Sequence, residues 1–241
     1  MGQSIGLFVA VRKGISPAVR SAVVLLSGGL DSAVLAAYAK ARLGVGELHA
    51  LTFLYGQKHA REAGCARIQA LACGAASHVV VPMEWFAGLI AGASGLTDAA
   101  VPVPDLAELG EEESRQPPTY VPNRNMVFLA IAAARAEAAG CGDVLYGAQA
   151  HDRYGYWDCT PEFVAGLNSV LALNRRRAVK VAAPFATMRK AEVVRLGAEL
   201  GVSFADTWSC YRGGERPCGR CPTCVERAAA FAEAGVSDPV V

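Results

Sequence analysis

Short apolar runs alternate along the chain with longer segments whose apolar residues recur at helical spacing. Helical patterns cover about 31–43, 59–72 and 189–200. Runs that are apolar throughout, rather than alternating, are typical of parallel strands covered on both faces. The sequence therefore predicts an α/β fold built on a doubly wound parallel sheet. The five predicted strands are 22–26, 48–54, 78–81, 143–146 and 179–183.

The predicted elements divide the chain into three parts. Residues 1–20 are a short lead-in, 21–205 form the main α/β domain, and 206–241 form a small cysteine-rich segment. Within the main domain, about 92–118 differs from the rest because it holds four prolines and the acidic run 111–113. Prolines limit helix and acidic runs are usually solvated, so we expect a mobile surface excursion beside the site rather than a lid.

Composition narrows the class of protein. The 241 residues are 53% hydrophobic but only 7% aromatic, so aliphatic side chains must fill the core. A net charge of +1 is not typical of proteins that bind nucleic acid along an extended surface, so we expect no nucleic-acid partner. No apolar run approaches the roughly 18 residues of a membrane helix, so we expect no membrane contact and a cytoplasmic enzyme. The sequence leaves a homodimer open.

The first predicted strand runs into the hexapeptide Ser27-Gly-Gly-Leu-Asp-Ser32 at the start of a helix. Glycines at such a turn let backbone amides approach a phosphate, and the helix N-terminus adds partial positive charge. The serine hydroxyls can donate further hydrogen bonds, and Asp31 can cap the helix or act through a cation. The pattern predicts a phosphate site, and a plain capped strand–helix turn is the alternative.

Half of the eight cysteines lie within fifteen residues, at Cys210, Cys218, Cys221 and Cys224. Glycines between them permit tight turns. Four thiolates without histidine suit a tetrahedral structural Zn²⁺, one per chain. An iron–sulfur cluster is the main alternative. A redox Cys-x-x-Cys pair is less favoured because it leaves two thiols unexplained.

Several segments carry a resemblance to known enzymes. The hexapeptide resembles the pyrophosphate loop (PP-loop) of the ATP-pyrophosphatase superfamily, whose members split ATP between the α and β phosphates. Others, in the same order along the chain, are similar to the 7-cyano-7-deazaguanine synthase family. At one position the chain departs from that family, since Trp157 stands where proline is usual. The similar segments are Tyr55-Gly-Gln-Lys-His59, Tyr120-Val-Pro-Asn-Arg-Asn125, Gly155-Tyr-Trp-Asp-Cys-Thr-Pro-Glu-Phe163 and Thr207-Trp-Ser-Cys-Tyr211.

The resemblance implies a fold, a reaction and a set of partners. Residues 21–205 would be a PP-loop ATP-binding domain with an adenine nucleotide alpha hydrolase-like sheet. The substrates would be the small molecules 7-carboxy-7-deazaguanine, ammonia and ATP with Mg²⁺. The enzyme would adenylate the carboxylate, let ammonia displace AMP to give the amide, and dehydrate the amide with a second ATP. The product would be 7-cyano-7-deazaguanine (preQ0), in queuosine- or archaeosine-type 7-deazapurine biosynthesis.

The resemblance also implies roles for the phosphate end. Lys190 would contact phosphate, with an exposed helix lysine as the alternative. Asp152 would bind Mg²⁺, with a solvated loop acid as an equal alternative. Asp31, Lys190 and Asp152 are thus the expected catalytic residues. The residues expected to bind ATP are Leu26, Ser27, Gly28, Gly29, Leu30, Asp31, Ser32 and Lys190.

Other residues are expected to bind the acid substrate. The adjacent N–H donors of a guanine-like base suit a paired carboxylate from Asp158 or Glu162, although Glu162 also suits a helix first turn. The planar fork of Arg124 suits a carboxylate or phosphate, with a surface ion pair as the alternative. Trp157 would stack on the base or fill a core. The full expected set is Tyr120, Arg124, Asn125, Trp157, Asp158 and Glu162.

Three other functions stay open. A tRNA thiolase also pairs this loop with cysteines, but the sequence shows no basic RNA-binding domain. A zinc-stapled protein that binds nucleotides without turnover is a second alternative, and the intact loop with Lys190 argues against it. A relative that activates a different acid, or a protein terminus, is the third, and Trp157 keeps it open.

Overall fold

The computed structural model describes residues 20–58, 61–110, 116–150 and 155–240. Five strands form one sheet in the order β3-β2-β1-β4-β5, and all four neighbouring pairs are parallel. Each predicted strand is present, with boundaries shifted by no more than one residue. The strands are β1 Ser21–Leu25, β2 Glu47–Leu54, β3 Ser77–Pro82, β4 Asp143–Leu145 and β5 Lys180–Ala182.

Helices connect the strands and cover both faces of the sheet. Short 3₁₀ turns lie at Leu106–Glu108, Trp157–Cys159 and Phe204–Asp206. The α-helices are α1 Leu30–Ala41, α2 Arg61–Ala72, α3 Glu84–Leu89, α4 Arg124–Ala139, α5 Pro161–Leu171, α6 Lys190–Glu199 and α7 Pro222–Ala234.

Strand β1 shows why its sequence is apolar throughout. Val23 packs into one core with α4, whereas Ala22 and Val24 pack into a second core with α1 and α6. Successive side chains of a strand point to opposite faces, so a strand with helices on both sides has no solvent face. This arrangement confirms the predicted doubly wound sheet.

The order of the strands places a crevice at the centre of the sheet. The chain moves outward from β1 through β2 to β3, then returns to the other side of β1 at β4. Ligands of open α/β sheets bind at such a switch, beyond the carboxyl ends of the strands. Strand β1 leads there into Ser27, and β4 leads into Tyr146 and Gly147.

The cysteine-rich segment packs on the main domain. Helix α7 lies against α6, and its Phe231 ring meets Phe204 edge to face at 5.0 Å in the second core. The buried Arg227 side chain pairs with Asp238 at 2.7 Å and donates to Thr207 Oγ1 at 2.8 Å. Among the described residues, no helix is both long and apolar enough to cross a bilayer.

The excursion of residues 92–118 is tied to its surroundings. Its neck closes where Gly95 N donates to Pro118 O at 2.8 Å. Asp98 accepts hydrogen bonds from the amides of Gly92 and Ala100 at 2.7 and 2.8 Å. The acidic run 111–113 lies outside the described residues, as does the lead-in 1–20 apart from Arg20.

Candidate active site

One cavity of about 390 Å³ opens at the carboxyl ends of β1 and β4. Its wall includes Ser27 and Asp31 at one end and Arg124 and Tyr156 at the other. A cavity of this size is within the range of small-molecule sites. The loop after β1, helices α4 and α7, and the excursion all contribute to the wall, so it is assembled from distant parts of the chain.

The loop after β1 is held by its own serines. Ser32 Oγ donates to Gly29 O at 3.0 Å and accepts from Ser27 N at 3.2 Å. Ser27 Oγ accepts from Gly29 N at 3.1 Å. These bonds satisfy the loop internally and fix its shape before a ligand arrives. Ser27, Gly29, Leu30, Asp31 and Ser32 all line the cavity, together with Leu26.

Gly28 is required by the geometry of this loop. Its φ of 95° lies in the left-handed region, and a Cβ there would fall 2.0 Å from the carbonyl oxygen of Glu62. Its own carbonyl accepts from Trp208 N at 3.1 Å and from Gln69 Nε2 at 3.0 Å. Gly28 therefore shapes the loop from behind and is not part of the described cavity wall.

Lys190 lies at the end of the cavity lined by Asp31 and begins α6. It is only 8% exposed, and its Nζ lies 3.6 Å from Asp31 Oδ2 and 3.8 Å from Glu226 Oε2. Two carboxylates around one buried ammonium keep the charge paired. The alternative of an exposed helix lysine does not match this burial.

One carboxylate oxygen of Asp31 is available to bind a ligand. Its Oδ1 is buried and has no hydrogen-bond partner among the described residues. Buried carboxylate oxygens are normally satisfied, and a hard divalent cation prefers such oxygen ligands. The donor fits Mg²⁺ carried with a nucleotide. Asp152, the other expected ligand, lies outside the described residues.

Arg124 dominates the opposite end of the cavity. Asn123 adopts a left-handed φ of 52°, and α4 begins immediately after it with Arg124. The guanidinium donates to Tyr55 Oη at 3.4 Å. Burial would lower the pKa of Arg124, but Tyr55, Tyr211 and Asp158 outweigh it and raise that pKa above its ordinary value. The cavity therefore offers a permanent cation with an aromatic surround.

Asp158 and Asn125 interact with each other. Asp158 Oδ2 accepts from the backbone N of Asn125 at 3.1 Å, in the first turn of α4. Burial raises the pKa of the Asp158 carboxyl, with Arg124 acting in the opposite direction. Asn125 lines the cavity and donates from Nδ2 to Cys159 Sγ at 3.2 Å, whereas Asp158 is not among the described wall residues.

Three further predicted residues lie outside the described cavity wall. Trp157 is 44% exposed, donates from Nε1 to Tyr120 Oη at 2.8 Å and meets the Phe163 ring at right angles. Glu162 is exposed in the first turn of α5, where Thr160 Oγ1 caps the helix by accepting from Phe163 N at 3.1 Å. The structure brings Trp157 and Tyr120 together beside the cavity and leaves Glu162 apart from them.

The cavity also contains residues to which we assigned no role from the sequence. Tyr55, Glu62 and Tyr211 line it. All three occur in or beside the segments that carry the family resemblance, which is a signal that could have singled them out. Glu226 follows the cysteines on α7, and only the packing of that helix reveals its place in the wall.

The four clustered cysteines form a compact group. Their sulfur atoms all lie within 4.8 Å of one another. Hydrogen bonds among the thiols lower the pKa of Cys221 and raise the pKa values of Cys210 and Cys224. Thr223 Oγ1 donates to Ser209 O at 2.7 Å and holds the turn into α7. The group fits one metal centre with four thiolate ligands.

Comparison with known proteins identifies the family of this chain. The model of the family "Queuosine biosynthesis protein QueC" matches residues 21–235. A 7-cyano-7-deazaguanine synthase of Clostridium kluyveri is 42% identical over 228 residues, covering 92% of this chain and 97% of that protein. One from Thermoplasma acidophilum is 43% identical over 227 residues, covering 92% and 91%. The chain belongs to the family of the queuosine biosynthesis protein QueC.

Proposed function

We propose that this protein is an ATP-dependent ligase that converts 7-carboxy-7-deazaguanine and ammonia to 7-cyano-7-deazaguanine. The observation that carries the proposal is the cavity with the Ser27–Ser32 loop at one end and the half-buried guanidinium of Arg124 at the other. The curated relatives, which are named for this product, support the choice of acid. Neither a tRNA substrate nor another acid is favoured by these comparisons.

The first stage activates the carboxylate, because its oxygen is a poor leaving group and AMP is a good one. A carboxylate oxygen of the acid attacks the α-phosphorus of ATP and releases pyrophosphate, which leaves an acyl adenylate. The amides and hydroxyls of the Ser27–Ser32 loop and the ammonium of Lys190 would hold the β and γ phosphates. Arg124 would orient the carboxylate through its fork. The residues thus act by positioning and by charge stabilisation.

The second stage forms the amide and then the nitrile. Ammonia attacks the acyl carbon, AMP leaves, and the surplus proton passes to solvent. The amide oxygen then attacks the α-phosphorus of a second ATP, which releases pyrophosphate and, with loss of one N–H proton to solvent, leaves an adenylated imidate. Loss of AMP and of the remaining N–H proton leaves the nitrile. Two ATP are converted to two AMP and two pyrophosphate for each nitrile. Both stages use the same attack on an α-phosphorus, so one cavity suffices.

The proposal includes two metal ions. We assign Zn²⁺ to the four cysteines, as a structural ion that fixes the loop of residues 210–224. An iron–sulfur cluster has the same donor set, so the metal content decides between them. We assign Mg²⁺ to Asp31 Oδ1, where it would neutralise phosphate charge when ATP binds. Asp152 stays a predicted second ligand.

The proposal also covers the cellular compartment and the binding partners of the protein. The described cysteines are free thiols, which suits a reducing compartment, and we therefore place the enzyme in the cytoplasm. The homodimer left open by the sequence and the expected lack of a nucleic-acid partner stay predictions. Sedimentation of the purified protein, with and without tRNA, tests both.

Mass spectrometry of one reaction mixture tests the function. The mixture holds the protein, 7-carboxy-7-deazaguanine, ammonium and Mg-ATP. We expect the nitrile, with two AMP formed for each. An amide that accumulates would contradict the second stage alone, and AMP formation that ignores the deazapurine acid would contradict the assigned substrate. Replacing the acid by tRNA and sulfide is the control for the thiolase alternative.

A further inference from the structure

The excursion and the cysteine loop, residues 210–224, touch through one carboxylate. Asp105 Oδ1 accepts from Arg212 Nη2 at 2.7 Å, and Asp105 Oδ2 lies 3.7 Å from Arg220 Nε. Arg212 follows Cys210 by two residues, and Arg220 lies between Cys218 and Cys221. Both cations therefore come from the turns that the four sulfur atoms define.

Backbone bonds reinforce this contact. Arg212 Nη2 also donates to Val103 O at 2.8 Å, and Leu106 N donates to Arg220 O at 3.0 Å. The Val103 side chain is buried in a small apolar cluster with Trp208 and the cysteines. Residues 101–110, which we name the strap, are thus bonded to the cysteine loop through side chains and main chain together.

The strap forms part of the wall of the active-site cavity. Leu106 and Leu109 line it, as do Pro117 and Thr119, which follow the strap on the way to Arg124. Lys58 Nζ holds the start of the strap by donating to Val101 O at 2.9 Å. The bonds to the cysteine loop therefore hold the part of the cavity wall that the strap forms. The chain continues from this part of the wall to Arg124.

We infer that Asp105 is a positioning residue: it transmits the order of the metal-bound cysteine loop to the strap and so sets the shape of the acid-binding end of the cavity. The inference rests on the proposed function for the identity of the acid. It gives the metal a second role besides folding the segment, because the thiolate ligands fix Arg212 and Arg220, and these two side chains hold Asp105.

The test compares Asp105→Asn with the matched control Asp98→Asn. Both carboxylates lie in the excursion, but Asp98 accepts only from the backbone amides of Gly92 and Ala100 among the described residues. We expect Asp105→Asn to keep its metal and to speed hydrogen exchange of the Leu106–Leu109 amides about tenfold. It should also raise KM for the acid about tenfold, with kcat and KM for ATP within about twofold. Asp98→Asn should leave exchange at Leu106 and KM for the acid unchanged.

Metal removal provides the second arm. Chelation of the wild type should speed exchange in the strap while β1 and β4 stay protected, and in Asp105→Asn it should add little more. Equal strap exchange in wild type and Asp105→Asn would overturn the inference, as would the same shift in Asp98→Asn. Hydrogen exchange needs no turnover, so a protein that makes no nitrile but shows this exchange pattern would contradict the proposed function alone.

Discussion

Glu226 Oε2 lies 3.8 Å from Lys190 Nζ, across 36 residues of sequence. Asp31 Oδ2 lies 3.6 Å from the same nitrogen, so helices α1, α6 and α7 meet at one buried ammonium. Helix α7, which begins directly after Cys221, therefore also reaches the cavity beside Lys190 and Asp31. The free protein neutralises Lys190 with its own acids, and a bound triphosphate would compete with them for that charge.

Lys190→Met should abolish most of the activity. The substitution keeps the length of the side chain but removes the buried cation that would face phosphate. Loss of one such preorganised group costs about a hundredfold to a thousandfold in kcat. AMP formation in the presence of acid and ammonium measures it. Lys180→Met is the control, because Lys180 is exposed at the start of β5, and an equal loss in that variant would contradict the role of Lys190.

Asp31→Asn should stop AMP formation while leaving the fold and the metal content intact. The amide is isosteric with the carboxyl group but is a poor ligand for a hard cation. Steady AMP release from this variant would refute the assignment of the loop. Glu199→Gln, an exposed change at the end of α6, is the control and should be silent.

Gly28→Ala should impair both folding and ATP binding. Its Cβ would fall 2.0 Å from Glu62 O, so the loop or α2 has to move. Gly44→Ala is a matched control because Gly44 also has a positive φ, of 66°, but has no neighbour within 4 Å of its Cβ. The control should cost only about 1–2 kcal/mol of unfolding free energy, which is the strain of the left-handed conformation. Calorimetry and titration with ATP separate the two effects, and equal losses would contradict the contact argument.

Cys221→Ser should give a protein without metal. Cys221 is buried and is one of the four clustered cysteines, and a serine hydroxyl is a poor substitute for a thiolate. Metal analysis of the wild type should give about one zinc per chain and no iron. Cys73→Ser removes a thiol outside the group and should retain the zinc. A Cys221→Ser variant that keeps its full zinc content would show that the group is not the metal site.

Acid should weaken the fold partly through His78. Burial, followed by the charge of Arg67, lowers the pKa of His78 from 6.5, and its ring bonds Thr52 Oγ1 at 2.8 Å. The unfolded chain then binds a proton before the folded one does. Stability from this group is complete above pH 6.5 and falls as the pH drops through the lowered folded-state pKa. Urea unfolding between pH 8 and pH 5 should show this decline, and His78→Gln should flatten it.

Local sequence signals predicted the sheet but only part of the site. The strands could be predicted because each apolar run is covered on both faces. The phosphate role of the Ser27–Ser32 loop stays a prediction. The position of Trp157 depends on a hydrogen bond to Tyr120, 37 residues away. The contact between Asp158 and Asn125 spans 33 residues. Such pairings follow from packing, and no local pattern encodes them.

Helix α7 performs three tasks within three turns. Cys224 belongs to the four-cysteine group, Glu226 lines the cavity, and Phe231 packs in the second core. An α-helix turns by about 100° per residue. Inserting a single amino acid between Cys224 and Phe231 would therefore rotate the side chains on one side of the insertion away from their present contacts. An inserted residue should abolish activity here, whereas an insertion in the exposed turn after α5 should leave activity unchanged. The number of residues between Cys224, Glu226 and Phe231 is therefore constrained as strictly as the identity of the residues themselves.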